Sequence, residues 1–377
     1  MSPHRLRYLP LEINDKYLIL LPAMETSTTT PRIEPADVID ADGFTPVRIK
    51  QVIRETSDAV SLVLDIPEPI RDQFRYAAGQ FITIRARIDG AEHRRCYSMS
   101  SSPTVDPDLR ITVKRDRDGL VSNWVNDTVS IGDELHVAPP EGRFVLTAGE
   151  HNIVTFAGGS GITPVFSLVQ SALAATTRKA RLFYANRNLD SVIFRESLAT
   201  LVDTHSERVE VHHHLDDLDG VVSPQHIADF IANDSHAETD YYVCGPAMFM
   251  DTVERVLLDS GIPRQQLHLE RFSVAAIPPP DPTEPVATEE VTIELDRRTI
   301  TAPYRAGNTL LQTARLAGLK APSSCETGSC GTCMAQVVEG SARMLNNDAL
   351  DDDEIAEGWV VTCQALPTSR RVRVVYE

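Results

Sequence analysis

Short segments in which apolar and polar residues alternate dominate the chain from Gly43 to about residue 147. Leu109-Arg110-Ile111-Thr112-Val113 alternates at every position, and turn residues such as Asp89-Gly90 separate it from similar segments. A period of two puts alternate side chains on one face, as in a strand with one buried side. We therefore predict a small antiparallel β-barrel, with strands near 47–53, 60–64, 80–84 and 109–113.

From His151 onward, apolar segments of strand length alternate with segments of helix length. Strands are predicted at 152–157, 180–185, 209–213, 241–244 and 267–272. Helices are predicted as far as Leu173, around 194–202, at 224–231 and at 248–258. This alternation is typical of a parallel sheet that is covered by helices on both faces.

A proline-rich segment at 277–285 predicts a stiff, extended spacer, because such a run cannot form a core. Beyond it we predict strands at 291–295, 298–302 and 372–376 and a helix near 309–317. Residues 1–42 show no sustained period and predict a disordered extension. The predicted organisation is an extension at 1–42, a barrel at 43–147, an α/β unit at 148–275, a linker at 276–288 and a third unit at 289–377.

Composition excludes some classes of function. Lys and Arg number 36 against 54 Asp and Glu in 377 residues, a net charge of −18, which argues against general nucleic-acid binding. No apolar run reaches the ~18 residues that a membrane-spanning helix needs. The apolar segment at 17–21 is too short for a secretory signal, so we expect a cytoplasmic protein.

Cysteine spacing points to a metal centre. A C-x4-C-x2-C motif followed by a cysteine thirty residues later comprises Cys325, Cys330, Cys333 and Cys363. This is the spacing of plant-type [2Fe–2S] ligands, and thiolates are the soft donors that such clusters use. Gly328 and Gly331 supply the backbone freedom that a loop wrapped around a cluster needs. Zinc and plain buried thiols are the alternatives, but zinc prefers paired C-x2-C knuckles and only one such pair is present.

The first strand of the α/β unit runs into the glycine-rich segment Gly158-Gly159-Ser160-Gly161-Ile162-Thr163-Pro164. Glycines let a backbone approach a pyrophosphate, and the following helix N-terminus favours its charge. The segment lacks the G-x-G-x-x-G spacing, so an ordinary tight strand-to-helix turn is the alternative.

Further motifs carry a family resemblance. Arg95-Cys96-Tyr97-Ser98, Val113-Lys114-Arg115 and Ser122-Asn123-Trp124 resemble the FAD-binding half of the ferredoxin–NADP reductase superfamily, and the cysteine loop resembles that of plant-type ferredoxins. Together with Tyr184-Ala185-Asn186-Arg187 and Cys363-Gln364-Ala365, they make the chain from about residue 43 similar to oxygenase reductases with a C-terminal ferredoxin. That group includes the reductases of 3-ketosteroid 9α-hydroxylase and phenylacetyl-CoA epoxidase.

The resemblance implies a multidomain β and α/β fold with an FAD-binding barrel, a nucleotide-binding α/β domain and a β-grasp [2Fe–2S] domain. It also implies roles for residues of the barrel. Arg95 would pair with the FAD pyrophosphate, Tyr97 would stack on the isoalloxazine, and Ser98 would lie near flavin N5. Lys114 and Ser122 would be further FAD contacts. An ordinary strand with an exposed arginine is the alternative interpretation of Arg95–Ser98 taken alone.

Other implied residues belong to the nicotinamide site. The nucleotide loop would contribute Gly159, Gly161, Thr163 and Pro164, and the strand end beside it would contribute Cys244, Gly245 and Pro246. Glu270 would join the hydrogen bonds around Ser98 and Cys244, and Phe272 would cover the flavin and move when nicotinamide arrives. A buried thiol and a core aromatic are the alternatives for Cys244 and Phe272.

The implied function is electron transfer from NAD(P)H through FAD and a [2Fe–2S] cluster to a terminal oxygenase, expected to be of Rieske type, that hydroxylates a steroid or an aromatic or acyl-CoA substrate. Arg187 could bind a 2′-phosphate, but Asp190 would repel it, so we expect NADH rather than NADPH. A membrane di-iron desaturase or hydroxylase as acceptor, and a redox-sensing or scaffold role, remain open. We expect no metal at His212-His213-His214. Asp351–Glu354 predicts a solvated turn or helix start, or alternatively a docking face for a basic partner.

Overall fold

The computed structural model describes residue 40 and residues 43–376, except for 233, 273–287, 324, 325, 327, 329, 330, 348 and 351. The predicted linker, nearly all of the predicted extension, and Cys325 and Cys330 therefore lie outside the described residues. No helix in the part of the chain that is described is long and apolar enough to span a membrane.

The first unit is an antiparallel sheet of six strands. They are β1 (Thr45–Thr56), β2 (Ala59–Asp65), β3 (Phe81–Ile88), β4 (Ala91–Ser98), β5 (Leu109–Lys114) and β6 (Glu134–Val137). Their order is β4-β3-β6-β1-β2-β5, and a bridge between Met99 and Ile111 joins the two edges and closes a barrel. The alternating residues face inward as predicted, since Leu62, Leu64 and Ile111 are almost fully buried. Helix α1 (Leu120–Thr128) follows β5.

The second unit is a parallel sheet with the order β11-β10-β7-β8-β9. Its strands are β7 (Asn152–Gly158), β8 (Ala180–Asn186), β9 (Val209–Leu215), β10 (Thr239–Cys244) and β11 (Leu267–Glu270). Its helices are α2 (Ile162–Ala175), α3 (Arg195–Thr204), α4 (Asp216–Asp219), α5 (Pro224–Ile231) and α6 (Ala247–Asp259). Side chains of α2 and α3 join one apolar cluster and those of α5 and α6 join another, so both faces are covered as predicted.

One strand of this sheet is shorter than the sequence predicts. The segment 267–272 was expected to be a strand, but β11 ends at Glu270. Its partner β10 ends opposite, at Cys244, where Gly245-Pro246 follows. Proline has no N–H with which to continue the ladder, so Arg271 and Phe272 leave the sheet. The side chain of Phe272 is 41% exposed, which excludes the core-aromatic interpretation.

The third unit is a mixed sheet with the order β13-β12-β18-β14-β16. Its strands are β12 (Glu290–Leu295), β13 (Arg298–Pro303), β14 (Met334–Glu339), β16 (Trp359–Val361) and β18 (Arg371–Val375), while β15 (Ala342–Met344) pairs with β17 (Ala365–Pro367). Its helices are α7 (Leu310–Leu316) and α8 (Asp352–Ala356). Helix α7 begins at a capping box formed by Thr309 and Gln312 and packs Leu310 and Leu311 into the same core as Cys333 and Cys363.

The barrel and the α/β unit share one core. Ala59, Ala78 and Phe144 of the barrel side belong to the apolar cluster that includes α2. Buried hydrogen bonds add to it, because the Ser167 hydroxyl donates to the carbonyl of Ser101 at 2.6 Å. Apolar burial of this kind holds the two units in a fixed relation.

Candidate flavin, nicotinamide and cluster sites

The end of β4 carries three of the predicted flavin residues. Arg95 and Tyr97 are two residues apart and so share a face of the strand, whereas Ser98 points to the other face. Arg95 is exposed, and its guanidinium donates to the carbonyl of Arg94 at 2.7 Å. Tyr97 packs against the barrel core, and burial raises the pKa of its phenol. A neutral ring beside an exposed guanidinium suits a ligand with an apolar ring and an anionic tail.

Ser98 has a property that the sequence does not reveal. Its side chain is 3% exposed, and its Oγ has no hydrogen-bond partner among the described residues. An unsatisfied buried hydroxyl is costly and rare in native proteins. The atom therefore fits the edge of a bound polar ring system such as a flavin, which would supply the missing partner.

The end of β5 and the start of α1 border the same side of the barrel. The Ser122 hydroxyl donates to the carbonyl of Gly119 and accepts from the amide of Asp116, both at 3.1 Å, and thereby fixes the loop before α1. Burial lowers the pKa of Lys114, and the positive charge of Arg187 lowers it further. The negative charge of Asp58 opposes both effects without outweighing them. The Lys114 ammonium thus lies in a crowded and polar junction between the two units.

Two loops meet at the point where the strand order of the parallel sheet reverses. From β7 the chain continues to β8 on one side of β7, and it later returns to β10 on the other side. The switch point of the sheet therefore lies between β7 and β10. A Cβ added to Gly161 would come within 2.0 Å of the Cys244 carbonyl oxygen, and one added to Gly245 within 3.0 Å of the Gly158 nitrogen. Only glycine permits this close approach, and ligands of open α/β sheets bind at such points.

Hydrogen bonds of the Tyr184 side chain also hold the glycine-rich loop. The Tyr184 hydroxyl donates to the carbonyl of Gly159 at 3.2 Å and accepts from the amide of Ile193. Gly159 has a φ of +51° and lies beside Lys114, since a Cβ at Gly159 would be 3.4 Å from the Lys114 Nζ. The Thr163 hydroxyl donates to the carbonyl of Ser160, and Pro164 is buried in the first turn of α2. The predicted nucleotide loop therefore touches the predicted flavin side.

Cys244 and Glu270 are neighbours across β10 and β11, where they are paired in register. Both side chains are buried. Burial raises the pKa of the Cys244 thiol well above its ordinary value, and the nearby Glu270 carboxylate raises it further. Both effects favour the neutral thiol of Cys244 over the thiolate.

Arg187 joins the two units in a way that the sequence does not predict. Its guanidinium donates to the Asp58 carboxylate at 2.8 Å, and Asp58 lies in the turn between β1 and β2. Burial raises the pKa of Asp58. The hydrogen bond from Thr56 and the positive charges of Lys114 and Arg187 outweigh burial, so the pKa of Asp58 is lowered overall. The pair borders a cleft of about 600 Å³ lined by Asp58, Arg115, Asp116, Arg117, Asn123 and Arg187. Sequence reasoning missed Asp58, because no local motif marks it.

The described part of the cysteine loop fits a cluster. Cys333 and Cys363 are both buried, and the amide of Cys363 donates to the Cys333 sulfur at 3.4 Å. Gly328 and Gly331 have φ values of +89° and +77°, which confirms the need for glycine at both positions. A pair of soft donors with an amide directed at one of the sulfurs suits an iron–sulfur centre. Cys325 and Cys330 lie outside the described residues.

Two remaining motifs have structural explanations. The ring of Phe183 stacks on His212 at 5.1 Å and on His214 at 5.5 Å between ring centres. Partial desolvation lowers the pKa of His212 and of His213, although both residues are exposed, whereas His214 is buried; the absence of a metal at this segment stays a prediction. Of the acidic segment, Asp352 starts α8, and Glu354 faces Arg143 of the barrel side.

Three family models match consecutive parts of the chain. The oxidoreductase FAD-binding domain matches residues 46–146, the oxidoreductase NAD-binding domain matches residues 156–255, and the 2Fe-2S iron-sulfur cluster binding domain matches residues 293–368. These matches confirm the predicted cofactor classes FAD, NAD(H) and [2Fe–2S], together with the predicted fold class.

Whole-chain comparisons agree with this order of domains. The ferredoxin reductase component of 3-ketosteroid-9-alpha-monooxygenase from Rhodococcus rhodochrous is 36% identical, over 87% of this chain and 95% of that protein. A component protein of the 1,2-phenylacetyl-CoA epoxidase of Escherichia coli is 30% identical, over 89% of this chain and 98% of that protein. The solved structure of phthalate dioxygenase reductase covers 89% of this chain and 98% of that chain, with 26% identity and a TM-score of 0.59.

Proposed function

The chain belongs to the family of oxygenase reductase components, which carry electrons from NAD(P)H through FAD and a [2Fe–2S] cluster to a terminal oxygenase, and we propose that its acceptor is a Rieske-type oxygenase acting on a steroid. The observation that carries this proposal is the 36% identity to a 3-ketosteroid-9-alpha-monooxygenase reductase component along nearly its whole length. Potentials also support it. Plant-type clusters lie near about −400 mV and Rieske clusters at about −150 to +300 mV, so each electron moves downhill.

The proposed residue roles are those that the family resemblance implies, and the geometry of the site supports them. When bound, FAD accepts a hydride from nicotinamide and passes electrons on singly to the cluster. Arg95 neutralises the FAD pyrophosphate, Tyr97 packs against the isoalloxazine, and the buried Ser98 hydroxyl bonds to its edge near N5. Lys114 and Ser122 complete the FAD contacts at the loop before α1. The unpartnered Ser98 Oγ is what supports this placement most directly.

The nucleotide site is proposed at the switch point of the parallel sheet. Gly159 and Gly161 admit the pyrophosphate close to the backbone, with Thr163 and Pro164 in the first turn of α2 behind them. On the other side of the switch point, Cys244, Gly245, Pro246 and Glu270 border the nicotinamide and keep water away from it. The exposed Phe272 covers the flavin face and moves aside for nicotinamide. The cluster is held by Cys325, Cys330, Cys333 and Cys363.

We propose NADH as the preferred nucleotide. Arg187, the residue suited to a 2′-phosphate, is already paired with Asp58 at 2.8 Å, and Asp190 lies three residues further on. A phosphate there would have to compete with one carboxylate for the guanidinium and would be repelled by both.

Replacing Asp58 with asparagine is expected to free Arg187 to pair with the 2′-phosphate of NADPH. We expect this pairing to contribute about 1.4 kcal/mol, which raises kcat/KM for NADPH about tenfold relative to that for NADH. Steady-state rates with both nucleotides measure this ratio. Asp65→Asn, at the far end of β2, is the matched control and should leave the ratio as it is. An unchanged ratio in Asp58→Asn would remove Asp58 from nucleotide choice, and a wild type that prefers NADPH would overturn the NADH proposal.

Reconstitution tests the proposed acceptor. The purified chain, NADH and a purified 3-ketosteroid Rieske oxygenase should give hydroxylated steroid in step with NADH consumption. Coupling to a membrane di-iron desaturase or hydroxylase, with none to Rieske oxygenases, would select the alternative acceptor. Negligible NADH-dependent reduction of one-electron dyes would instead favour a sensing or scaffold role. The cytoplasmic location expected from the sequence stays a prediction.

A further inference from the structure

A short docking segment, residues 141–143, connects the barrel to the third unit. The Arg143 guanidinium donates to the carbonyl of Ala349 at 2.5 Å and approaches the Glu354 carboxylate to 3.3 Å. The second terminal nitrogen of the Arg143 guanidinium lies 3.3 Å from the sulfur of Met334. One side chain of the barrel side thus contacts three separate residues of the unit that contains Cys333.

A second contact lies beside the first and involves the loop around Cys333. The Thr332 hydroxyl donates to the Glu141 carboxylate at 2.8 Å. A Cβ at Gly331 would come within 3.4 Å of the Arg143 Nε, so the loop backbone approaches the docking segment closely. The residues on both sides of Cys333, Thr332 and Met334, are therefore held by Glu141 and Arg143.

The docking segment is equally tied to the strand next to Ser98. Glu141 and Phe81 exchange both backbone hydrogen bonds at 2.9 Å, and Phe81 is paired in register with Ser98. Gly142 lies against the Phe81 ring, because a Cβ there would be 3.1 Å from two ring carbons. The connected path runs from Ser98 through Phe81 and Glu141 to Thr332 and Cys333.

We propose that Glu141 and Arg143 are positioning residues for electron transfer from flavin to cluster. The inference rests on the proposed placement of FAD at Ser98. In each transfer one electron leaves the reduced flavin and one Fe(III) of the cluster becomes Fe(II). The cluster passes that electron to the terminal oxygenase before it accepts the second, and the one proton that arrived with the hydride goes to solvent. The docking segment sets the distance over which these electrons move, because it fixes the Cys333 loop against the strand beside Ser98.

The chemistry of this contact makes it sensitive to salt. The Arg143–Glu354 pair is partly exposed, with side-chain exposures of 47% and 27%. Salt screens such pairs, whereas the barrel and the α/β unit, although the Arg187–Asp58 pair also joins them, share an apolar core that salt does not weaken. At saturating NADH, high ionic strength should therefore slow flavin-to-cluster transfer more than the reduction of flavin.

Arg143→Gln in the full-length holoprotein tests the proposal. Anaerobic stopped-flow mixing with NADH should show flavin bleaching within about twofold of wild type and cluster reduction slowed about tenfold or more, as for misplaced reaction partners. Hydrogen exchange of the amides in 331–334 should speed up in the same variant, which reports docking independently of turnover. The matched control is Arg48→Gln, which removes another exposed Arg–Glu pair of the barrel and should match wild type in both readouts.

The outcomes separate this proposal from the functional one. Unchanged cluster reduction and unchanged exchange in Arg143→Gln would overturn the positioning role. Failure of NADH to bleach the flavin of the wild type would instead contradict the proposed flavin and nucleotide sites. Should Arg143→Gln lose its cluster, Glu141→Gln, which changes the other positioning residue, takes its place, and the same two results decide.

Discussion

Replacing Cys363 with serine is expected to abolish the [2Fe–2S] cluster and all electron delivery to an oxygenase, while NADH–ferricyanide activity continues. Cys363 is buried, its amide bonds to the Cys333 sulfur, and a serine hydroxyl is a much harder donor than a thiolate. The core around these cysteines is separate from the core shared by the barrel and the α/β unit. The flavin-containing part should therefore stay folded, and ferricyanide can take electrons from it directly.

Iron and acid-labile sulfide content, FAD release on denaturation, and the two activities check this expectation. Cys96→Ser is the matched control, because Cys96 lies on β4 outside the cysteine loop and its change should leave iron content at the wild-type level. Cluster absorbance that persists in Cys363→Ser would show the ligand assignment to be wrong. Loss of ferricyanide activity with FAD still bound would show that the units do not work independently.

Ser98→Ala is expected to slow flavin reduction by NADH about 100-fold, the effect typical of removing one preorganised hydrogen-bond donor. The Ser98 hydroxyl is buried without a partner among the described residues, so its loss disturbs no described hydrogen bond and FAD should remain bound. Rapid-mixing measurement of flavin bleaching, together with FAD content, separates a rate effect from a binding effect.

The control for this variant is another buried hydroxyl. Ser100 lies two residues further along the chain and bonds to the Thr112 hydroxyl at 2.7 Å, so Ser100→Ala should affect stability more than bleaching. Bleaching in Ser98→Ala at the wild-type rate would remove Ser98 from the flavin edge, and loss of FAD would assign it to binding alone.

Much of the fold was predictable because burial leaves a local signature. β12 and the first half of β1 alternate since each buries one face, and β10 is apolar along most of its length since all six of its residues are buried. The close approach of Gly161 to Cys244 was also indicated locally, because a glycine-rich loop and a strand end were expected at one sheet edge.

The unpredicted features are contacts between residues far apart in sequence. Asp58 and Arg187 are 129 positions apart, and Arg143 and Glu354 are 211 apart. Such pairs depend on how the units pack, and neither residue type nor spacing marks them. The early end of β11 likewise depended on the partner strand, where Pro246 stops the ladder, and the segment 267–272 contains no such signal of its own.

The order of electron transfer can be observed in an anaerobic reaction of the intact protein with NADH, sampled by rapid freezing and followed by flavin absorbance and by the paramagnetic signal of the reduced cluster. We expect flavin bleaching to come first, and the cluster signal then to grow as part of the flavin absorbance returns. A cluster that is reduced without prior flavin bleaching, or one that stays oxidised beside fully reduced flavin, would contradict the path from NADH through flavin to cluster.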